Sequence, residues 1–266
     1  MKKKLTCLVA TLALGALLLS GCGKSAGDSK TFTVGFDAEF PPYGFLDEAT
    51  GEYVGFDLDL AAEVCARNGW ELVKQPIDWD AKDMELSSGA IDCIWNGFTI
   101  NGREDQYTWT VPYVDNSQVF VVAADSGIAS LADLAGKNVG VQKDSSALAA
   151  LEDEANAELA ASFASLTQYA DYNTGFMDLE AGAIDALALD IGVAKFQVSS
   201  REDGAYVILD EALALEQYAV GFLKGNDSLK DQVEATLMEM VEDGTFTKIA
   251  EKYADYGLVD SVCLGK

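Results

Sequence analysis

Ile91-Asp92-Cys93-Ile94-Trp95-Asn96-Gly97-Phe98-Thr99-Ile100-Asn101-Gly102-Arg103 is the stretch on which the fold turns. It follows Gly89, a helix stop, opens as an apolar run and ends in polar residues and one fixed cation. A short apolar run bounded by turn signals reads as a buried strand. In open α/β sheets ligands sit off the carboxyl ends of such strands. Asn96, Gly97, Thr99 and Arg103 are therefore placed to line a cleft. Arg103 offers a planar fork of donors suited to a carboxylate, or equally to a surface ion pair.

A second stretch favours the cleft. Gly182-Ala183-Ile184-Asp185 repeats Gly89-Ala90-Ile91-Asp92, and its apolar run ends at Asp190. Thr33-Val34-Gly35-Phe36-Asp37 likewise resembles Asn138-Val139-Gly140-Val141-Gln142. Each short match alone is weak. The two pairs in the same order predict two similar α/β lobes, each a mixed, mainly parallel sheet flanked by helices, with strand ends facing one cleft.

Lys2, Lys3 and Lys4, an apolar core from Leu5 to Leu19, and Leu19-Ser20-Gly21-Cys22 make a leader to set aside before fold reasoning. The tetrapeptide resembles the bacterial lipobox, which implies a signal peptide over residues 1–21 and lipid on Cys22. Residues 22–30 then read as a flexible tether. A plain transmembrane anchor is the competing reading. The lobes are expected as residues 31–121 with 219–266, and residues 122–218.

Removing the three lysines takes the formal charge from −26 to −29. Such a balance argues against nucleic acid and anionic headgroups as partners. The chain has no histidine, which removes Ser-His-Asp and Cys-His catalysis and histidine-ligated zinc. Cys65, Cys93 and Cys263 suit no metal site, and no cofactor is expected. Cys65 and Cys93 lie in apolar contexts and read as buried thiols.

Thr31 to Phe36 reads as the first strand, running into a loop with Asp37, Glu39, Phe40 and Tyr43. Asp57 is placed to cap a helix whose inner face carries Leu58, Ala61, Ala62 and Cys65. Trp79 follows a second strand. Ser117 to Ala123 reads as a strand leaving the first lobe, and Tyr218 to Phe222 as one returning to it. Ser145 and Ser146 open a helix from Ala147 to Leu159, whose free amides make an anion site or a simple cap. Leu229, Val233, Leu237 and Met240 form a core stripe.

Tyr53-Val54-Gly55-Phe56-Asp57-Leu58-Asp59-Leu60-Ala61, with Asn96-Gly97-Phe98-Thr99 downstream, resembles the family 3 extracellular solute-binding proteins, the polar amino-acid receptors of ABC importers. The likeness runs in order along nearly all of the mature chain. It implies a two-lobed, type II periplasmic-binding-protein-like fold and an extracytoplasmic, lipid-anchored monomer that delivers its ligand to a permease and ATPase.

A free amino acid carries two charges, and buried charges must be paired. Arg103, the Ser145 and Ser146 amides, and Asp190 supply the partners, with Thr99 and the Gly97 backbone alongside; the resemblance implies the same assignment, with Asn96 and Phe98 in the same motif. The family usually has one more residue before its arginine than this chain has between Thr99 and Arg103. Asp37, Phe40, Tyr43, Trp79 and Gln142 are expected to set side-chain selectivity, with ordinary core aromatics the competing reading of Phe40 and Trp79. Lysine, arginine, histidine, glutamine and cystine all remain open as ligands. A sensor or adhesin role on the same fold competes with transport, as does a dehydratase-like enzyme using Glu39 or Asp37.

Overall fold

The two sequence repeats fold into the same local device twice. In the computed structural model, which describes residues 30–266, the Asp92 carboxylate accepts from the Thr33 amide at 2.7 Å, and the Asp92 amide donates to the Thr33 carbonyl at 2.8 Å. Asp185 and Asn138 make the same exchange, at 2.7 Å in each direction. Gly35 sits under Ile91 and Gly140 under Ile184, where an added Cβ would come within 2.4 and 2.6 Å of the isoleucine side chains. The repeat thus encodes how a first strand docks beside a third. Leader, Cys22 and nearly all of the tether lie outside the described residues.

In the first lobe, parallel strands Glu71–Pro76, Thr31–Phe36 and Cys93–Ile94 lie in that order, followed by antiparallel Gly221–Phe222 and Thr108–Trp109. The second sheet sets parallel strands Ser165–Tyr169, Asn138–Gln142 and Ala186–Asp190 beside antiparallel Val114–Ala123. That long strand pairs in turn with Tyr206–Ile208 and Ala214–Tyr218. Its pairing with the second sheet begins at Val114, earlier than the exit expected near 121. The return passes through Ala219 and Val220, so Tyr218 and Phe222 belong to different sheets. A three-stranded hairpin sheet, Glu39–Phe40, Gly44–Asp47 and Glu52–Val54, flanks the first lobe.

Helix Phe56–Asn68 covers the first sheet but is not capped by Asp57. Its N-cap is Gly55, at φ 141°, where any Cβ would meet the Tyr43 carbonyl at 2.2 Å. Asp57 is instead buried in the first turn. The inner face is Leu58, Leu60, Ala61, Val64 and Cys65, while Ala62 points to solvent. Helix Asp227–Glu242 packs on it through the expected stripe, with Leu229, Val233, Leu237 and Met240 all buried. Cys65 and Cys93 are buried free thiols. Among the described residues no helix is long and apolar enough to cross a membrane.

The helix expected over Ala147–Leu159 breaks at Asp153, which caps a 3-10 turn, leaving Ser146–Glu152 and Ala157–Ser162. Helix Ile191–Ser199, directly after Asp190, escaped the sequence reading because it is apolar without a clear polar face. The lobes meet along an aromatic seam. Phe40 faces Tyr172 at 5.9 Å between ring centres, Tyr43 faces Tyr218 edge-on at 5.2 Å, and Phe45 faces Phe196 at 5.3 Å.

Candidate functional site

Strand Cys93–Ile94 ends at buried Trp95, and the chain turns at Gly97 with φ 55°. No other residue fits there, since a Cβ would lie 2.8 Å from the Phe40 ring and 3.0 Å from that of Tyr218. The turn is held from behind. The Gly97 amide donates to Asp57 Oδ2 at 2.6 Å, and Tyr113 Oη donates to the same oxygen at 2.8 Å. Burial pushes the Asp57 carboxyl up to about 7, against the pull of these two hydrogen bonds. Asn96 Oδ1 accepts from the Asp37 amide at 3.0 Å and fixes the loop after the first strand.

Thr99 pairs with Tyr218 as an isolated bridge. A tight turn through Gly102, at φ 77°, then brings Arg103 back over the site. Arg103 Nη1 donates to the Thr99 carbonyl at 3.2 Å and Nη2 to the Asp144 carbonyl at 3.5 Å. The guanidinium lies 5.4 Å from the centre of the Phe98 ring. Phe98 itself faces away, packed on Trp79, Tyr107 and Trp109.

The second lobe supplies the opposite wall. At the end of strand Asn138–Gln142, Gln142 Nε2 donates to Asp37 Oδ2 across the seam at 2.7 Å. Burial raises the Asp37 carboxyl to about 6, opposed by hydrogen bonds from the Glu39 amide and Gln142. Asp144 has φ 56°, and its carbonyl accepts from Trp79 Nε1 at 3.2 Å. Its carboxylate pairs with Lys82 of the first lobe. Ser145 caps the following short helix by accepting from the Leu148 amide at 3.1 Å.

Asp190 is buried at the end of its strand. It accepts from Asn116 Nδ2 at 2.8 Å, Gln118 Nε2 at 2.7 Å, Tyr218 Oη at 2.5 Å and Tyr172 Oη at 3.4 Å. Burial, and next the charge of Glu216, push its carboxyl up to about 7. Tyr43, Tyr172 and Tyr218 are held well above the usual phenol range by burial and by Asp190, so all three remain neutral, Tyr172 and Tyr218 as donors to Asp190.

Phe40, Trp79, Gly97, Thr99, Arg103, Gln142, Ser145, Ser146 and Asp190 line one cavity where the lobes meet. Its volume is about 10 Å³, room for about one water. Asp37, Tyr43, Asn96 and Phe98 stand behind these walls. Sequence reasoning missed Glu216, Asn116, Gln118, Tyr172, Tyr218 and Lys82. A signal existed for two of them: Asn116 and Gln118 are alternate polar residues in an otherwise apolar strand, which puts them on one face.

Residues 32–256 match the model of the bacterial extracellular solute-binding proteins, family 3. The L-cystine-binding protein TcyJ of Escherichia coli is 27% identical over 92% of this chain and 91% of its own. The arginine-binding extracellular protein ArtP of Bacillus subtilis is 28% identical over 95% of this chain and 98% of its own. An ABC uptake transporter substrate-binding protein from Streptococcus pneumoniae with bound histidine superposes with a TM-score of 0.80 at 35% identity, covering 84% of this chain and 92% of its own. Fold, cleft and full-length likeness agree: the chain belongs to the bacterial extracellular solute-binding proteins, family 3.

Proposed function

We propose that this protein captures a free polar or cationic L-amino acid, or cystine, for an ABC importer. The observation that carries the proposal is the meeting of Arg103 from one lobe and Asp190 from the other in one cavity. Arg103 and Thr99 bind the ligand carboxylate and Asp190 its ammonium. Phe40, Trp79 and Gln142 face the side chain, with Asp37 behind Gln142. Because the cavity holds little more than a water, the ligand enters only when the lobes part, and its charges then bridge them. Closure around it is the hinge motion for which the handled charges supply differential affinity. The lipobox-like motif at Cys22 supports a lipid anchor outside the membrane, from which the closed monomer meets its permease. Binding is favoured over turnover because four side-chain donors hold Asp190 in place as a partner for the ammonium.

A thermal-shift screen of the lipid-free chain against the amino acids and cystine tests this. A ligand that binds only the folded state adds about 2.7 kcal/mol of stability at a hundred times its dissociation constant. One clear hit that disappears in Arg103→Ala is the expected result. No shift with any amino acid would sink the proposal.

A further inference from the structure

Glu216 lies on strand Ala214–Tyr218, one of the two segments that cross between the lobes, and is almost fully buried. Its Oε1 accepts from Thr99 Oγ1 of the first lobe at 2.8 Å and Ser146 Oγ of the second at 3.2 Å. It also accepts from Asn116 Nδ2 and Gln118 Nε2, each at 2.7 Å. Those same two nitrogens donate to Asp190 Oδ1. Two buried carboxylates therefore share one pair of donors, with no cation between them. Meanwhile the amide oxygens of the same side chains, Asn116 Oδ1 and Gln118 Oε1, are buried without a donor. Two like charges held this close in a buried site favour a proton on one of them.

We propose that Glu216 is a positioning residue that pairs with Asp190 in a two-carboxylate couple, so that Asp190 holds a proton in the unliganded protein and releases it when a ligand ammonium binds. This rests on the amino-acid reading given above. The ammonium replaces the proton as the positive charge beside Asp190, and the proton leaves to solvent. Glu216 acts through Asp190, Thr99 and Ser146 and does not line the cavity. The charged and titratable groups facing the couple are Arg103 from the first lobe and the phenols of Tyr43, Tyr172 and Tyr218; Asp37 bears on it through Tyr172. The phenols stay neutral, so they do not titrate in the same window. Asp37 does, and comparison with a Glu216 variant separates it.

The test is calorimetric titration with L-arginine, L-lysine, L-glutamine or L-cystine, taking whichever stabilises the protein, in two pH 7 buffers of different ionisation enthalpy. Release of about half a proton per ligand is expected at pH 7, where Asp190 is near its midpoint. Affinity should rise about tenfold from pH 6 to pH 8. Glu216→Gln keeps the size and an acceptor oxygen for Thr99 and Ser146. It should bind the same ligand with a smaller proton release and a flatter pH profile. An unchanged proton count in Glu216→Gln overturns the proposal, as does wild-type affinity that is flat over this range. If Glu216→Gln does not fold, Asp37→Asn separates the two sources: a proton release retained in Asp37→Asn supports the couple, and its loss overturns it. No binding by any of the four ligands overturns the amino-acid reading, and this inference with it.

Discussion

Asp57 offers a demanding test of how the site turn is held. Its carboxylate is fully buried, and one oxygen takes both the Gly97 amide and the Tyr113 hydroxyl while Oδ1 has no partner. Asp57→Ala strands two buried donors at about 1–3 kcal/mol each, so a loss of about 2–6 kcal/mol is expected. Asp57→Asn keeps an acceptor for both donors and removes only the charge. The pH dependence separates the two effects. Asp57 rises from 3.8 to about 7 on folding, chiefly through burial, so between those values the folded state binds more protons than the unfolded. Stability must then fall as pH rises through this window, by up to about 1.4 kcal/mol per pH unit for one group, and level off above about 7. Asp37 and Asp190, also raised, act in the same sense. Urea unfolding at pH 5, 6, 7 and 8 should therefore give a wild-type midpoint that declines with pH, and a shallower decline in Asp57→Asn. Equal slopes for the two proteins would mean that Asp57 is ionised throughout, and the reasoning from its burial would be wrong.

Four further outcomes are expected. Gly192→Ala places a Cβ within 2.4 Å of Tyr43 Oη across the seam. Tyr43 is packed against Phe40 and Tyr218, so closure is obstructed at about 1–3 kcal/mol. Calorimetry should show weaker ligand binding with little change in the unliganded melting temperature, and a lowered melting temperature with intact affinity would contradict this. Arg103→Lys retains a charge but not the planar fork; calorimetry should show a loss of about 1.5–3 kcal/mol of binding, the worth of one charge-assisted hydrogen bond. Lys82→Ala removes the pair with half-exposed Asp144, which can rehydrate. A shift toward open lobes worth about 1 kcal/mol should appear as a larger radius of gyration in solution scattering. Lys143→Ala, whose partner Asp80 is also exposed, should leave that radius unchanged.

What the sequence made legible follows from how each signal is carried. The paired repeats were readable because a tight glycine and an aspartate returning to its neighbouring strand are local requirements. Gly35 with Ile91 and Asp92, and Gly140 with Ile184 and Asp185, restate one geometry. Asp190 was readable because it ends a strand, and Arg103 and Ser146 because they lie in the turn and the helix start that follow strand ends. Glu216 was not, because its strand of five residues has an ordinary mixture of side chains and is buried only by pairing with Val114–Ala123. Asp57 was misread for a related reason. A helix-opening aspartate looks like a cap, and only the tertiary placement of Gly97 beside it reveals a different partner.

The crossing at Ala219 and Val220 also sets an order of assembly. Gly221–Phe222 fits between Cys93–Ile94 and Thr108–Trp109, so the first sheet cannot be completed by the residues that begin it. A chain emerging from its amino end presents every strand of the second sheet before that missing piece arrives. One lobe can then finish while the other waits with two facing edges unpaired. Helix Asp227–Glu242, which covers Phe56–Asn68, comes later still. Truncation ahead of residue 221 should thus leave a sound second lobe attached to an open, association-prone first one.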